Sequence, residues 1–143
     1  MHHLAIMKKS RRLLPKILSG QKTIESRRYN TKYPPRDRIK IGDTVYFKDS
    51  GEPVTLKAQV TKVLQFSDLT PTKVHDLLRK YGQQDGLGIN DIPSYFELFK
   101  NKRYCILIFL QNPEPIAPFT VDKTGFGTMA SWICIEDIEK IKN

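Results

Sequence analysis

The order of strand-like and helix-like segments constrains the fold of this chain more than any other feature. Six stretches alternate apolar and polar residues or are strongly apolar, as is typical of strands: His2–Met7, the segment that begins near Thr23, Thr44–Lys48, Thr55–Phe66, Tyr104–Gln111 and Thr128–Ile135. Helical spacing of apolar residues covers three stretches: Leu13–Leu18, Asp68–Tyr81 and Ser94–Lys100. Strands and helices do not alternate regularly, as a doubly wound parallel sheet would require. The sequence therefore predicts an α+β fold, a small and mostly antiparallel β-barrel with two or three flanking helices.

The length of 143 residues is enough for one hydrophobic core, and we expect residues 1–143 to form a single domain. Ser10 is the expected N-cap of the first helix, and Gly20 is expected to end it in the left-handed conformation that glycine tolerates. The segment Asn112–Pro115, with two prolines, is expected to end the fifth strand. Residues 82–93 are predicted to be the least regular part of the chain.

A charged cluster follows the first helix. Lys22 lies in the predicted turn after Gly20, and Glu25 and Arg27 lie on the strand that comes next. Successive side chains of a strand point to opposite faces, so Glu25 and Arg27 share one face while Ile24 turns to the core. A carboxylate held between cations stays ionised and orients its neighbours. The spacing alone fits either a ligand-binding groove or an exposed strand with a surface ion pair, which stabilises little.

The pattern Gly20-x-Lys22-x-x-Glu25-x-Arg27 resembles the G-x-K-x-x-E-x-R signature of the ASCH domain. The opening segment 4–10 is similar to the first strand of that family, and the segment 41–47 is similar to its strand entry at a Gly-Asp pair. The resemblance covers most of the chain. It implies a PUA-like barrel, related to the PUA domains that bind RNA, with a groove lined by the motif residues.

The same resemblance implies an alternative in which the chain is a hydrolase. Some small bacterial ASCH proteins hydrolyse the amide of acetylated cytidine with a lysine, a threonine and a glutamate, and others are described as ribonucleases. Lys22 matches the lysine, Glu25 stands where those enzymes have the threonine, and their glutamate has no clear match here. In a hydrolase, Lys22 would activate the nucleophile and Glu25 would act as the general base. The sequence leaves open whether the chain is an enzyme.

Positive charge is concentrated in the first part of the chain. The sequence has 24 Lys and Arg against 15 Asp and Glu, a net charge of +9. Residues 1–40 hold twelve basic and two acidic residues (+10), whereas residues 41–143 are close to neutral (−1). A basic surface on one part of a domain is typical of polyanion binders. Together with Glu25, the residues expected to contact a nucleic acid or nucleotide-like ligand are Lys8, Lys9, Arg11, Arg12, Lys22, Arg27, Arg28 and Arg36.

Aromatic residues offer a second kind of contact with a base. Phe126, between Gly125 and Gly127, either packs into the core or offers a face for stacking, and we include it among the candidate ligand-binding residues. Tyr29 and Trp132 allow the same two interpretations.

The remaining features narrow the class of protein. No Cys or His spacing suits a metal ion, and we expect neither a metal nor another cofactor. No apolar run could span a bilayer and no amphipathic helix accompanies the charge, so no membrane partner is expected. Cys105 and Cys134 lie in apolar runs, which is typical of buried thiols in a reducing compartment, and a cytoplasmic location is expected. We predict an RNA- or nucleotide-binding module, with a hydrolase acting on nucleic acid or a modified nucleoside as the alternative.

Overall fold

A computed structural model describes residues 1–127 and 129–143 of the chain. The strands in this part are β1 His2–Met7, β2 Ile24–Tyr29, β3 Thr44–Asp49, β4 Val54–Phe66, β5 Tyr104–Phe119 and β6 Trp132–Ile135. The α-helices are α1 Leu13–Leu18, α2 Pro71–Tyr81 and α3 Ile92–Phe99. Short 3₁₀ turns lie at Lys9–Arg11, Ile89–Asp91 and Ile138–Lys140.

All of these strands belong to one sheet, in the order β2-β5-β4-β3-β1-β6. Neighbouring strands are antiparallel except β1 and β3, which run parallel. The sheet curls into a half-barrel, and no strand pairing joins β2 to β6 among the described residues. The predicted class, a small and mostly antiparallel α+β barrel with flanking helices, is confirmed. We call the gap between β2 and the opposite edge, formed by β1 and β6, the seam.

Two apolar clusters cover the two faces of β5, as strand alternation requires. Ile106 and Ile108 join the main core inside the curl, which also draws buried residues from β1, β3, β4 and β6. Cys105 and Leu107 point to the other face, where they pack with Ile24 of β2 and are covered by α2. Glu25, next to Ile24 on β2, therefore points toward the inside of the curl.

The first helix begins later than predicted. A 3₁₀ turn at Lys9–Arg11 comes first, and Arg12 adopts a left-handed conformation (φ 50°) before α1 starts. Ser10 is therefore not the N-cap of the helix. With this later start, Pro15 falls in the first turn of α1, where its missing N–H costs no intrahelical hydrogen bond. Gly20 is left-handed (φ 82°), as predicted.

The fifth strand runs far beyond its predicted end. It continues through Asn112–Pro115 to Phe119. β2 pairs with β5 only from Tyr104 to Phe109, so the later residues of β5 have a single neighbour, β4. A strand with one free edge accepts proline because the missing N–H has no partner to lose. Register shifts opposite this segment, between Lys57 and Gln59 and between Val54 and Leu56, accommodate the change in backbone.

Three further boundaries differ from the sequence-based prediction. β6 begins at Trp132, and the predicted start at Thr128 lies outside the described residues. α2 begins at Pro71 rather than Asp68, because the side chain of Thr70 caps it by accepting a hydrogen bond from the N–H of Lys73 (3.3 Å). α3 begins at residue 92, two residues before its predicted start, so residues 82–93 are more regular than expected.

Candidate ligand-binding site

A pocket of about 350 Å³ opens at the seam. Its lining residues come from both edges of the sheet and from the segments that cover it: Ile6, Met7, Lys8, Arg11, Leu13, Lys22, Glu25, Ser26, Arg27, Arg28, Tyr29, Asp85, Leu87, Tyr95, Phe99 and Ser131. Five consecutive residues of β2 line it. The volume falls within the range of about 300–1,000 Å³ that is typical of small-molecule sites. We call this cavity the seam pocket.

β2 lines the seam pocket with side chains from both of its faces, because it is an edge strand with only β5 beside it. Glu25 and Arg27 approach from the inside of the curl, whereas Ser26 and Arg28 approach from the face that α2 covers. The predicted alternation holds. The expectation that only one face of this strand would line a groove was too narrow, since a groove at the open edge of a sheet borders both faces.

Lys22 is the centre of a buried ionic cluster. Its side chain is only 2% exposed, and its ammonium donates hydrogen bonds to the carbonyls of Ile24 (2.7 Å) and Asp85 (2.8 Å) and to Oδ1 of Asp85 (2.5 Å). Oε1 of Glu25 lies 3.4 Å from the same nitrogen. An ammonium has three N–H donors, so the protein itself uses all of them. Lys22 is therefore a fixed charge in the wall of the pocket.

Both members of the Lys22–Glu25 pair are charged at neutral pH. Burial works to lower the pKa of Lys22, but the carboxylates of Glu25 and Asp85 outweigh it and hold this pKa above its ordinary value. Burial works to raise the pKa of Glu25, but Lys22 and Arg27 outweigh it and hold this pKa below its ordinary value. Glu25 is 4% exposed and also accepts a hydrogen bond from the N–H of Ser26 (3.0 Å). The pair supplies fixed, opposite charges to the wall of the pocket.

Asp85 reaches the cluster because the loop after α2 is tied to the start of β2. The carbonyl of Gln84 accepts hydrogen bonds from the N–H groups of Thr23 (2.8 Å) and Ile24 (3.0 Å). Gly86 then turns the chain in a left-handed conformation (φ 87°), and a Cβ atom at this position would lie 3.3 Å from the Lys22 side chain. A glycine is needed here for both the conformation and the space.

Arg28 is buried in the pocket wall with most of its donors unused. Its side chain is 6% exposed, and its guanidinium lies 4.8 Å from the ring centre of Phe99. Nη1 donates a hydrogen bond to Oγ of Ser26 (2.8 Å) and lies 3.8 Å from Oδ2 of Asp85. A guanidinium has five N–H donors, and in the described part of the chain Arg28 makes that single hydrogen bond. The remaining donors are available to an acceptor in the pocket.

Arg27 spans the seam. Its guanidinium donates to Oε2 of Glu25 (3.3 Å) on its own strand and to the carbonyl of Ser131 (3.2 Å) on the opposite edge. It also lies 5.1 Å from the ring centre of Trp132, a favourable cation–π distance. Trp132 is 7% exposed and belongs to the core, which resolves its two interpretations in favour of packing.

A series of buried hydrogen bonds supports Trp132 on the side away from Arg27. Nε1 of Trp132 donates a hydrogen bond to Nδ1 of His3 (3.1 Å), and Nε2 of His3 lies 2.8 Å from Oδ2 of Asp43. The indole nitrogen can only donate, so Nδ1 must accept and the proton of the neutral ring sits on Nε2. Burial lowers the pKa of His3 although Asp43 opposes it, which agrees with a neutral ring.

The seam pocket collects six of the ten predicted site residues: Lys8, Arg11, Lys22, Glu25, Arg27 and Arg28. The other four lie outside its lining. Lys9 pairs with Glu52 (2.5 Å), Arg12 is exposed, and Arg36 donates to the carbonyl of Phe66 (3.0 Å). Phe126 is 39% exposed in the loop before β6.

Sequence reasoning missed three contributors to the pocket. Asp85 lies in the segment predicted to be least regular, and Tyr95 and Phe99 lie on α3, for which no role was predicted. Two glycines around a single acidic residue, at 82–86, are a signal of a tight functional turn, but nothing in the sequence ties that turn to Lys22.

Two features are absent from residues 1–127 and 129–143. No group of three or more His, Cys, Asp or Glu side chains is arranged there to hold a metal ion. Within the same ranges, no helix has the length and apolarity needed to cross a bilayer.

Comparison with known proteins gives a match in structure alone. No protein-family model matches the sequence, and no curated protein matches it. The solved ASCH structure from Zymomonas mobilis is similar with a TM-score of 0.68 and 18% identity, over 97% of this chain and 90% of that one. The hypothetical protein PH0355 is similar with a TM-score of 0.53 and 22% identity, over 81% of this chain and 100% of that one. At these identities the comparison shows the fold, and the ASCH-like fold predicted from the motif is confirmed.

Proposed function

We propose that this chain, with the fold of an ASCH protein, is a binding module for RNA or a nucleotide-like ligand, and that the ligand lies in the seam pocket with its phosphate at Arg28. The observation that carries the proposal is the buried guanidinium of Arg28, which lines the cavity while four of its five N–H donors lack a partner in the described chain. A planar guanidinium fork matches the geometry of a phosphate.

The charge of the pocket supports the same conclusion. Five cations line it against two carboxylates, which gives a net charge of +3: Lys8, Arg11, Lys22, Arg27 and Arg28 against Glu25 and Asp85. Lys22, Arg27 and Arg28 share the two carboxylates, since Arg27 pairs with Glu25 (3.3 Å) and Arg28 lies 3.8 Å from Asp85. The three cations exceed the two anions, so this buried part of the wall keeps a positive charge, to which Lys8 and Arg11 add. A cleft lined by one sign of charge concentrates ligands of the opposite sign.

The rest of the lining suits a base. Tyr29, Tyr95 and Phe99 border the cavity, and the rings of Tyr95 and Phe99 stack on each other with centres 5.9 Å apart. Aromatic and charged groups around a cavity of about 350 Å³ favour one nucleotide over a folded duplex.

The hydrolase alternative is less well supported by this geometry. A lysine that activates a nucleophile near neutral pH needs a lowered pKa, whereas that of Lys22 is raised and its three donors are occupied. We expect no turnover of acetylated cytidine or single-stranded RNA, measured by chromatography of the products. Turnover that Lys22→Ala abolishes would favour the hydrolase.

Binding is tested by calorimetry with adenosine, adenosine 5′-monophosphate and a short single-stranded RNA. We expect the monophosphate to bind more tightly than adenosine, and the RNA affinity to fall with salt with a slope of about −0.7 for each phosphate contacted. Arg28→Gln should weaken binding of the monophosphate about tenfold to a hundredfold, which is the effect of losing a charge-assisted hydrogen bond.

Arg79→Gln is the matched control, since Arg79 is exposed on α2 and carries the same charge outside the pocket. Equal affinities for adenosine and its monophosphate, or equal losses in the two variants, would contradict the proposal.

A further inference from the structure

The seam pocket has room for about one nucleotide. The surface beside it continues as a strip of aromatic and basic residues that includes Tyr29, Lys32 and Tyr33. Tyr29 lines the pocket at the end of β2, and its ring centre lies 5.6 Å from that of Tyr33. Tyr33 does not line the pocket and is 58% exposed. The two rings therefore lead from the cavity to the outer surface.

We infer that Tyr33 forms a second stacking site, for the base that follows the one in the seam pocket, so that the ligand is a single-stranded oligonucleotide rather than a free mononucleotide. This inference rests on the proposed function of the pocket. Bases of unpaired strands stack on aromatic side chains in a way that tolerates any sequence, because every base has a π-face.

The loop that carries Tyr33 is held in place. The hydroxyl of Tyr29 donates to the carbonyl of Pro34 (3.3 Å), next to Tyr33. Farther along the loop, the N–H of Asp37 donates to Oε1 of Gln65 (2.7 Å), whose amide donates back to Oδ1 of Asp37 (2.9 Å). These bonds hold the backbone of the loop, and the Tyr33 ring lies against Tyr29, so stacking a base there requires little ordering of the loop.

The charge around the strip suits the phosphate that links two bases. Residues 27–40 contain six basic residues and one acidic residue, a net charge of +5. Lys32, beside Tyr33, is exposed and pairs with no acid in the described chain. A single strand that leaves the pocket at Tyr29 therefore runs over a positive surface. Phe126 is not among the residues that line the pocket, and it pairs with no aromatic ring in the described part of the chain.

The test compares three ligands on the intact protein: adenosine 5′-monophosphate, adenosine 3′,5′-bisphosphate and the RNA dinucleotide pApA. We expect pApA to bind at least fivefold more tightly than the bisphosphate, the lower end of what one stacked base contributes. Tyr33→Ala should remove that gain and leave binding of the monophosphate unchanged, and Tyr33→Trp should keep it.

Phe126→Ala is the matched control, since it removes a different exposed ring. If the monophosphate still binds, any of three results would overturn the inference. They are that the bisphosphate binds as tightly as pApA, that the tighter binding of pApA persists in Tyr33→Ala, or that Phe126→Ala abolishes that tighter binding. A protein that binds none of the three ligands would instead overturn the proposed function and this inference together.

Discussion

The two edges of the open barrel bury polar groups in opposite ways. At the β2 edge, the charged pair of Lys22 and Glu25 lies in a buried ionic cluster with Asp85, to which Arg27 and Arg28 also belong. At the β1–β6 edge, His3 is neutral and links Trp132 to Asp43 through hydrogen bonds. Buried charges remain ionised where opposite charges surround them, whereas burial keeps the His3 ring neutral although Asp43 opposes it.

Arg27 connects the two arrangements. It bonds to Glu25 at one edge and lies against Trp132 at the other, so the position of this guanidinium depends on both. The comparison teaches that the motif residues of β2 are only half of the site. The other half is a support built from the first and last strands, and the following experiments separate the two.

The largest effect is expected from Lys22→Met. The substitution leaves Glu25 and Asp85 buried without their shared ammonium, and breaking a buried ion pair from one side costs about 3–5 kcal/mol in the free energy of unfolding. Urea denaturation measures it. Lys9→Met is the matched control, because Lys9 and its partner Glu52 are both exposed, and an exposed ion pair stabilises the fold little. Equal losses in the two variants would show that the β2 cluster is no more buried than a surface pair.

A smaller loss is expected from Trp132→Phe at the other edge. The phenyl ring fills most of the space but cannot donate, so Nδ1 of His3 loses its partner, which costs about 1–3 kcal/mol for a buried acceptor. Unfolding in urea reports the change. His3→Leu alone should also be destabilising, because it leaves Asp43 and the indole N–H of Trp132 without a partner. The double variant should lose less than the two single variants combined, since the Trp132–His3 bond can be lost only once. A double variant that loses as much as the two single variants combined would argue against the Trp132–His3 bond.

The smallest effect is expected in the pH dependence of the free energy of unfolding, which should differ between the two edges. The folded state disfavours protonation of His3, so below about pH 6.5 the unfolded chain takes up a proton that the folded chain does not. The free energy of unfolding should therefore fall as the pH drops below 6.5, by at most about 1.4 kcal/mol per pH unit, until the lowered pKa is reached. His3→Gln should flatten this part of the curve.

The β2 edge should respond only at lower pH. The pKa of Glu25 is held below its ordinary value of 4.5, so its contribution to the free energy of unfolding is complete above that pH and is lost as the pH falls through the lowered pKa.

His75→Gln serves as the control for His3→Gln, since the His75 ring is half-exposed on α2 and hydrogen-bonds to no described residue. A His3→Gln curve that keeps its slope between pH 5 and 6.5 would show that the ring is not held neutral.

Local patterns predicted the fold well, and long-range contacts explain what they missed. The alternation along β2 and the glycine at position 20 are properties of neighbouring residues, and both were read correctly. The extension of β5 past its prolines depends on which strand lies beside it, which no local pattern records. The site behaves in the same way, because the bond from Lys22 to Asp85 joins residues 63 positions apart and that from Trp132 to His3 joins residues 129 apart.

The pairing of β6 with β1 has a consequence for synthesis on the ribosome. β1 is synthesised long before its antiparallel neighbour, from Trp132 to Ile135, which lies much later in the chain. The carbonyl that Arg27 reaches across the seam belongs to Ser131, in the same late segment. Domains fold as units once their residues have emerged, so a nascent chain holds all the motif residues of β2 long before it holds a complete seam. The seam pocket can therefore be complete only after β6 has left the exit tunnel.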